Sequence, residues 1–115
     1  LPIQYALTYP YRMENHFPRL DFADYPQLTF EKPDREAFPC LNLAFEASRK
    51  GGNIPCVMNA ANEIAVQWFL QDKITFGQIP QLIEDTLSHA DFCVPQSVEE
   101  YLAIDEETKK KLINR

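Results

Sequence analysis

"PCVMNAANEIAVQWFL", residues Pro55–Leu70, is the stretch of sequence that decides the fold. Its apolar side chains recur every three or four residues, which is the spacing of an amphipathic helix. The residues that share one face of such a helix are Val57, Ala61, Ile64, Ala65 and Trp68. The pattern therefore predicts a helix over about 55–71 that turns this face toward a core.

The opposite side of this helix carries Asn59, Glu63, Val66 and Leu70, at spacings of i, i+4, i+7 and i+11. An ordinary surface helix would be mostly charged there, whereas this side mixes polar and apolar residues. One interpretation is a docking face for something outside the bundle, and the other is a helix that lies centrally within its own bundle. We also expect Asn59 and Asn62 to cap or bridge backbone groups.

Helices are predicted on both sides of the central one. Before it, Pro39 suits a first helical turn and Gly51 with Gly52 supplies a C-terminal stop. The apolar stripe expected on that helix is Leu41, Ala44, Phe45 and Ser48. After it, Thr75 and Gln78 have capping-box spacing. The stripe that follows them is Ile79, Leu82, Ile83, Leu87 and Ala90.

The last part of the chain contains two helix-start signals. Ser97 and Glu100 form a second capping box, and Asp105 has the character of a fresh N-cap followed by acidic and then basic residues. We therefore predict two consecutive helices with a bend between them.

Residues 1–38, which we call the arm, are rich in proline and aromatic residues. Pro2, Pro10, Pro18, Pro26 and Pro33 recur at near-regular spacing, which disfavours long helices. One or two helical turns fit residues 3–9, and "RLDF" and "QLTFE" alternate like short strands. The predicted fold is mainly α: a bundle of four to five short helices at 39–115, preceded by this extended arm at 1–38.

Composition excludes several classes of function. The 115 residues carry 17 acidic and 11 basic side chains, a net charge of −6, which disfavours nucleic-acid binding and a polybasic membrane contact. No apolar run approaches the roughly 20 residues of a membrane span. Three cysteines without a CxxC spacing indicate free thiols in a reducing compartment.

The sequence contains no motif typical of a metal site, a catalytic nucleophile or a phosphate-binding loop. His16 and His89 have no metal-ligand spacing, and neither GxSxG nor a phosphate-binding glycine loop occurs. Cys40 and Cys56 stand near predicted helix starts, which lowers a thiol pKa, but burial would oppose that effect. We therefore predict no catalytic, cofactor-binding or metal-binding residue, and only a candidate inter-domain face of Asn59, Glu63, Val66 and Leu70.

Longer stretches carry a resemblance to a known family. "LPIQYALTYP", "LTFEKPDREAFPCLNLAFEASRKGGNIPCVMNAANEIAVQWFL" and "SVEEYLAIDEET" resemble the C-terminal part of 1-deoxy-D-xylulose 5-phosphate reductoisomerases. The resemblance covers essentially the whole chain and implies that the arm is the end of a central catalytic domain plus a linker. Residues 39–115 would then be the C-terminal helical domain, and the chain, which starts without Met, would be part of a longer one.

The resemblance also implies properties of a longer enzyme whose functional residues lie outside this chain. The family is implied to be a cytoplasmic or plastid homodimer that uses NADPH and Mg²⁺ or Mn²⁺ to make 2-C-methyl-D-erythritol 4-phosphate. Its cofactor, metal and substrate residues belong to the N-terminal and central domains, which are the expected partners here. A non-catalytic supporting domain is our first hypothesis. The alternatives are an independent helical interaction module and a small enzyme with a cysteine or carboxylate site.

Overall fold

The structure, a computed structural model, describes residues 2–114 and forms two compact units, Leu1–Lys32 and Pro33–Arg115. The helices are α1 (Pro2–Thr8), α2 (Cys40–Lys50), α3 (Ile54–Leu70), α4 (Gln78–Ser88) and α5 (Val98–Ile113). The prediction of a mainly helical fold is confirmed. None of the helices within residues 2–114 has the length and apolar character needed to cross a membrane.

The first unit contains α1 followed by turns and extended backbone. The predicted turns before Pro10 are confirmed by α1, which has no buried residue. The two predicted strands are wrong for the described residues, because "RLDF" runs into a turn in which Tyr25 donates to the Asp21 carbonyl. "QLTFE" forms neither helix nor turn and has no partner strand among the described residues. Alternation alone does not make a strand when no neighbour completes the ladder.

The second unit is built around α3, which packs against α2, α4 and α5. The buried cluster joins small residues of α3 to larger ones of its neighbours: Ala61, Ile64, Ala65, Ile79, Ile83 and Leu112. Val57 is also buried and Trp68 is partly buried, so the predicted core face of α3 is confirmed. Alanines on α3 allow the neighbouring helices to approach closely.

Helix α2 has the predicted ends but presents a different face to the core. Its buried side consists of Ala47, with Cys40 and Leu43 packed against the central cluster. The predicted stripe of Leu41, Ala44, Phe45 and Ser48 is therefore wrong, since all but the half-buried Leu41 are exposed. The helix has apolar residues on two sides, and packing against α3 selects one of them. The Arg35 guanidinium lies 5.3 Å from the ring centroid of Phe45 on the other side.

The start of α4 differs from the predicted one, whereas α5 begins directly after Ser97 as predicted. Helix α4 begins at Gln78 rather than just after Thr75, because a turn intervenes in which Gln78 N–H donates to the Thr75 carbonyl at 3.0 Å. Only the return half of the capping box forms, with Gln78 Oε1 accepting from Thr75 N–H at 2.8 Å. At α5 the other half forms, since Ser97 Oγ accepts from Glu100 N–H at 3.2 Å. The Glu100 carboxylate accepts from Gln96 N–H at 2.8 Å rather than from Ser97 N–H.

The predicted break at Asp105 is wrong, because α5 is continuous from Val98 to Ile113. Asp105 stands mid-helix and its carboxylate pairs with Lys109 one turn later, at 2.8 Å. Glu106 with Lys110 and Glu107 with Lys111 repeat the pairing at 3.2 and 2.8 Å. Acid–lysine pairs four residues apart stabilise a helix in this orientation, so the residues that looked like a new start support continuation.

Candidate functional site

The candidate face of α3 is open to solvent in this chain. Asn59 and Glu63 are exposed, and the side chains of Val66 and Leu70 are 38% and 74% exposed. The interpretation that this side is enclosed by its own bundle does not fit this exposure. A partly exposed valine and a largely exposed leucine therefore lie beside two polar residues on the surface of the second unit.

A chain of polar contacts borders this face and joins α3 to α5. Asn59 Nδ2 donates to Glu63 Oε1 at 3.0 Å, and the other Glu63 oxygen pairs with the Lys109 ammonium. Lys109 also pairs with Asp105, at 2.8 Å. The network fixes the Glu63 carboxylate in one orientation and ties the two helices along their exposed edge.

Protonation equilibria follow from these contacts. The hydrogen bond from Lys109, reinforced by that from Asn59, holds the pKa of the Glu63 carboxyl below its usual range. Hydrogen bonds to Asp105 and then to Glu63 raise the pKa of the Lys109 ammonium. Both groups are therefore charged at neutral pH, and the face carries an ion pair rather than a proton donor or acceptor for catalysis.

The expected role of the asparagines needs a correction. The described hydrogen bond of Asn59 goes to a side chain rather than to a backbone group. The asparagine that does bridge backbone is Asn53, just before α3. Its side chain, in a residue that is 4% exposed, donates to the Asp91 carbonyl at 2.8 Å and accepts from Cys93 N–H at 3.0 Å. The sequence predicts only a helix stop at Gly51 and Gly52, so the role of Asn53 was missed.

Gly52 completes this clamp, by which we mean the contact of Gly52 and Asn53 with the loop at 91–93. Gly52 has a φ of +55°, and a Cβ there would lie 2.4 Å from the Cys93 carbonyl oxygen. The main chain of Asn53 also donates to that oxygen at 3.0 Å. The close approach of two backbones explains why a glycine precedes the asparagine.

A cavity of about 230 Å³ lies between the start of α3, the end of α4 and α5. Two charged residues of its wall, Glu107 and Lys111, pair with each other at 2.8 Å. The hydroxyls of Thr86 and Thr108 each donate to a carbonyl of their own helix at 2.7 Å. Because these four side chains already have partners, we assign no ligand to this cavity.

Comparison with known proteins identifies the family. A profile described as the DXP reductoisomerase C-terminal domain matches residues 1–111. The chain belongs to this family. Helix α3 and its neighbours α2, α4 and α5 therefore lie within a DXP reductoisomerase C-terminal domain.

Curated relatives agree with this membership. A 1-deoxy-D-xylulose 5-phosphate reductoisomerase of Chloroherpeton thalassium is 46% identical over the whole chain, and one of Acetivibrio thermocellus is 51% identical over 91% of it. These matches cover 30% and 28% of the relatives. A solved reductoisomerase of Zymomonas mobilis in complex with NADPH gives a TM-score of 0.89 at 46% identity. That alignment covers 98% of this chain and 30% of the other.

The cysteines of this C-terminal domain have the chemistry of packed side chains. Burial raises the pKa of the Cys40 thiol. Burial, with the carboxylate of Asp105 adding to it, also raises the pKa of the Cys56 thiol, although Lys109 opposes the rise. A raised pKa leaves less thiolate at neutral pH and so lowers nucleophilicity. At Cys56 burial and Asp105 outweigh Lys109, so neither thiol is activated.

Proposed function

We propose that this chain is the C-terminal helical part of an NADPH-dependent reductoisomerase. The complete enzyme would convert 1-deoxy-D-xylulose 5-phosphate into 2-C-methyl-D-erythritol 4-phosphate, with Mg²⁺ or Mn²⁺ holding the substrate oxygens. The observation that supports this is the family match over residues 1–111, together with relatives of that name over the whole chain. The chain spans about 30% of the length of the curated relatives it matches, so the activity belongs to the proposed complete enzyme.

The residues described here do not fit NADPH or a divalent metal. No group of three His, Cys, Asp or Glu side chains within residues 2–114 lies close enough to hold a metal ion. The glycines before α3 do not form a phosphate cradle, because the space beside Gly52 is filled by the loop at Phe92 and Cys93. We therefore assign no catalytic step to this chain and place both groups on the remaining domains.

The domain assignment follows the same proposal. Residues 1–38 would be the end of the central domain and the linker, and residues 39–115 the C-terminal helical domain. The N-terminal and central domains of the same chain would be its partners, in a cytoplasmic homodimer.

The face of Asn59, Glu63, Val66 and Leu70 is our candidate for contact with those domains. Leu70 is exposed enough that its burial against a partner would contribute about 1–2 kcal/mol. The ion pair between Glu63 and Lys109 would present a fixed carboxylate at the rim of that contact. A fixed polar rim around apolar residues is the usual anatomy of a protein contact.

The test of this face uses the proposed full-length enzyme. We expect the double change Glu63→Ala and Leu70→Ala to lower its melting temperature and its rate of NADPH consumption. Glu84→Ala with Val94→Ala is a matched control, because it removes an exposed glutamate and an exposed aliphatic residue outside the face. If the first variant behaves like the control, the face has no inter-domain role.

A second measurement separates this proposal from a small enzyme or an independent module. The 115-residue chain is titrated with NADPH, Mn²⁺ and 1-deoxy-D-xylulose 5-phosphate while its melting temperature is followed. A ligand at 100 times its dissociation constant would add about 2.7 kcal/mol to the folded state. We expect no shift with any of the three, and a clear rise would place a ligand site within this chain.

A further inference from the structure

The segment between Pro26 and Pro33 has an unusual backbone. Residues 27–32 form no helix or turn, and no described residue donates to or accepts from their main-chain groups. The two prolines bracket six consecutive N–H donors, which is close to the usual length of a β-strand. The segment therefore offers an open edge with both donors and acceptors free.

The side chains of this segment divide into two faces. In a strand Leu28 and Phe30 would lie on one side. Their exposed fractions are 60% and 89%. Gln27, Thr29 and Glu31 alternate with them on the other side. An apolar face opposite a polar one is what a half-buried strand requires, but here the apolar face lies in solvent.

We propose that residues 27–31 add as an edge strand to a sheet in the part of the enzyme outside these 115 residues. This inference rests on the proposed function, which places the chain in a longer reductoisomerase. The chain covers about 30% of its relatives, so most of such an enzyme lies outside it and can supply the sheet. Main-chain hydrogen bonds would hold the strand, and an apolar surface beneath the sheet would take Leu28 and Phe30.

A second copy of this chain fits the segment less well. Two such segments would form a two-stranded ribbon, and the ribbon would leave Leu28 and Phe30 without a layer to cover them. Isolated two-stranded ribbons are marginal in water for this reason. A sheet that already has a core supplies both the edge and the covering surface.

Hydrogen exchange resolved to single amides tests the proposal in the proposed full-length enzyme, with the 115-residue chain as reference. Alternate N–H groups of a strand point toward the same neighbour. We expect every second amide within 27–32 to exchange at least about tenfold more slowly in the full-length enzyme than in the chain alone. Phe30→Ser should abolish this protection. Thr29→Ser, on the opposite face, should preserve it.

The outcomes are distinguishable. An enzyme that consumes NADPH with its substrate, but whose amides at 27–32 exchange equally fast in both samples, overturns the strand and leaves the proposed function standing. A full-length enzyme without turnover overturns the proposed function itself. Protection that appears in the 115-residue chain and grows with its concentration identifies a second copy as the partner and overturns our choice of occupant.

Discussion

Replacing Asn53 with alanine tests the clamp that holds the loop at 91–93 against the start of α3. The change removes two hydrogen bonds, to the Asp91 carbonyl at 2.8 Å and from Cys93 N–H at 3.0 Å. The hydrogen bond from the main chain of Asn53 to the Cys93 carbonyl does not depend on the side chain and remains. The loop should therefore stay in place but be held more weakly.

The size of the effect follows from burial. Each lost hydrogen bond is worth about 0.5–1.5 kcal/mol net, and a buried group left without a partner costs more. Because Asn53 is 4% exposed, water does not readily replace its side chain. We expect Asn53→Ala to lower the free energy of unfolding by about 2 kcal/mol. For a domain of this size, that corresponds to a fall in melting temperature of roughly 8–16 °C.

The assay is thermal unfolding of the 115-residue chain followed by circular dichroism. Asn59→Ala is the matched control, because it makes the same chemical change on an exposed residue whose amide bonds only to Glu63. A surface change of that kind should stay within about 0.5 kcal/mol of the parent. The reasoning is refuted if Asn53→Ala melts within about 2 °C of the parent, or no lower than Asn59→Ala.

Three further changes probe other parts of the helical unit. Gly52→Ala should be about 1–3 kcal/mol more destabilising than Gly51→Ala. Both glycines have positive φ, but only at Gly52 would an added Cβ meet a backbone oxygen, that of Cys93, at 2.4 Å. Equal losses of unfolding free energy in urea would contradict this. Ile83→Ala, at a fully buried position, should cost about 2–5 kcal/mol in the same assay, whereas the exposed Ile113→Ala should cost little. Glu63→Gln should reveal the contribution of the ion pair with Lys109 to the free energy of unfolding. Because the pKa of the Glu63 carboxyl is lowered in the folded state, this contribution is present above the unfolded pKa of about 4.3. It is lost as the pH falls through the folded pKa. A difference in unfolding free energy between parent and variant that stays constant across that range would exclude the ion pair.

Helices of the second unit could be predicted because their apolar residues recur at helical spacing and because several of their ends carry start or stop signals. Gly51 and Gly52 end α2, and Ser97 starts α5 as its capping box indicates. The face of α2 could not be predicted, because apolar residues lie on two sides of it. Only the position of α3 decides that Leu43 and Ala47 face inward while Phe45 remains outside.

The error at Asp105 has a different origin. An acidic residue followed by two more and then by three lysines satisfies the rule for a helix start. The same residues also form acid–lysine pairs four positions apart, which favour a continuous helix. The two rules make opposite predictions about the backbone, and the sequence around Asp105 contains no proline or glycine to separate them. The contact of Lys109 with Glu63 on α3 favours the continuous helix, since it holds that turn against its neighbour.

The candidate face shows how a local pattern gains meaning only from its surroundings. The mixed character of Asn59, Glu63, Val66 and Leu70 was visible in the sequence, but two opposite environments could have produced it. In the structure, Asn59 and Glu63 belong to a network with α5, which explains why polar residues stand there at all. Val66 and Leu70 lie outside this network and remain 38% and 74% exposed. The ion pair of Glu63 is explained by contacts within this chain, whereas the exposure of Val66 and Leu70 is not. Exposed apolar residues beside a fixed ion pair are the reason to look for a contact with the other domains of the enzyme.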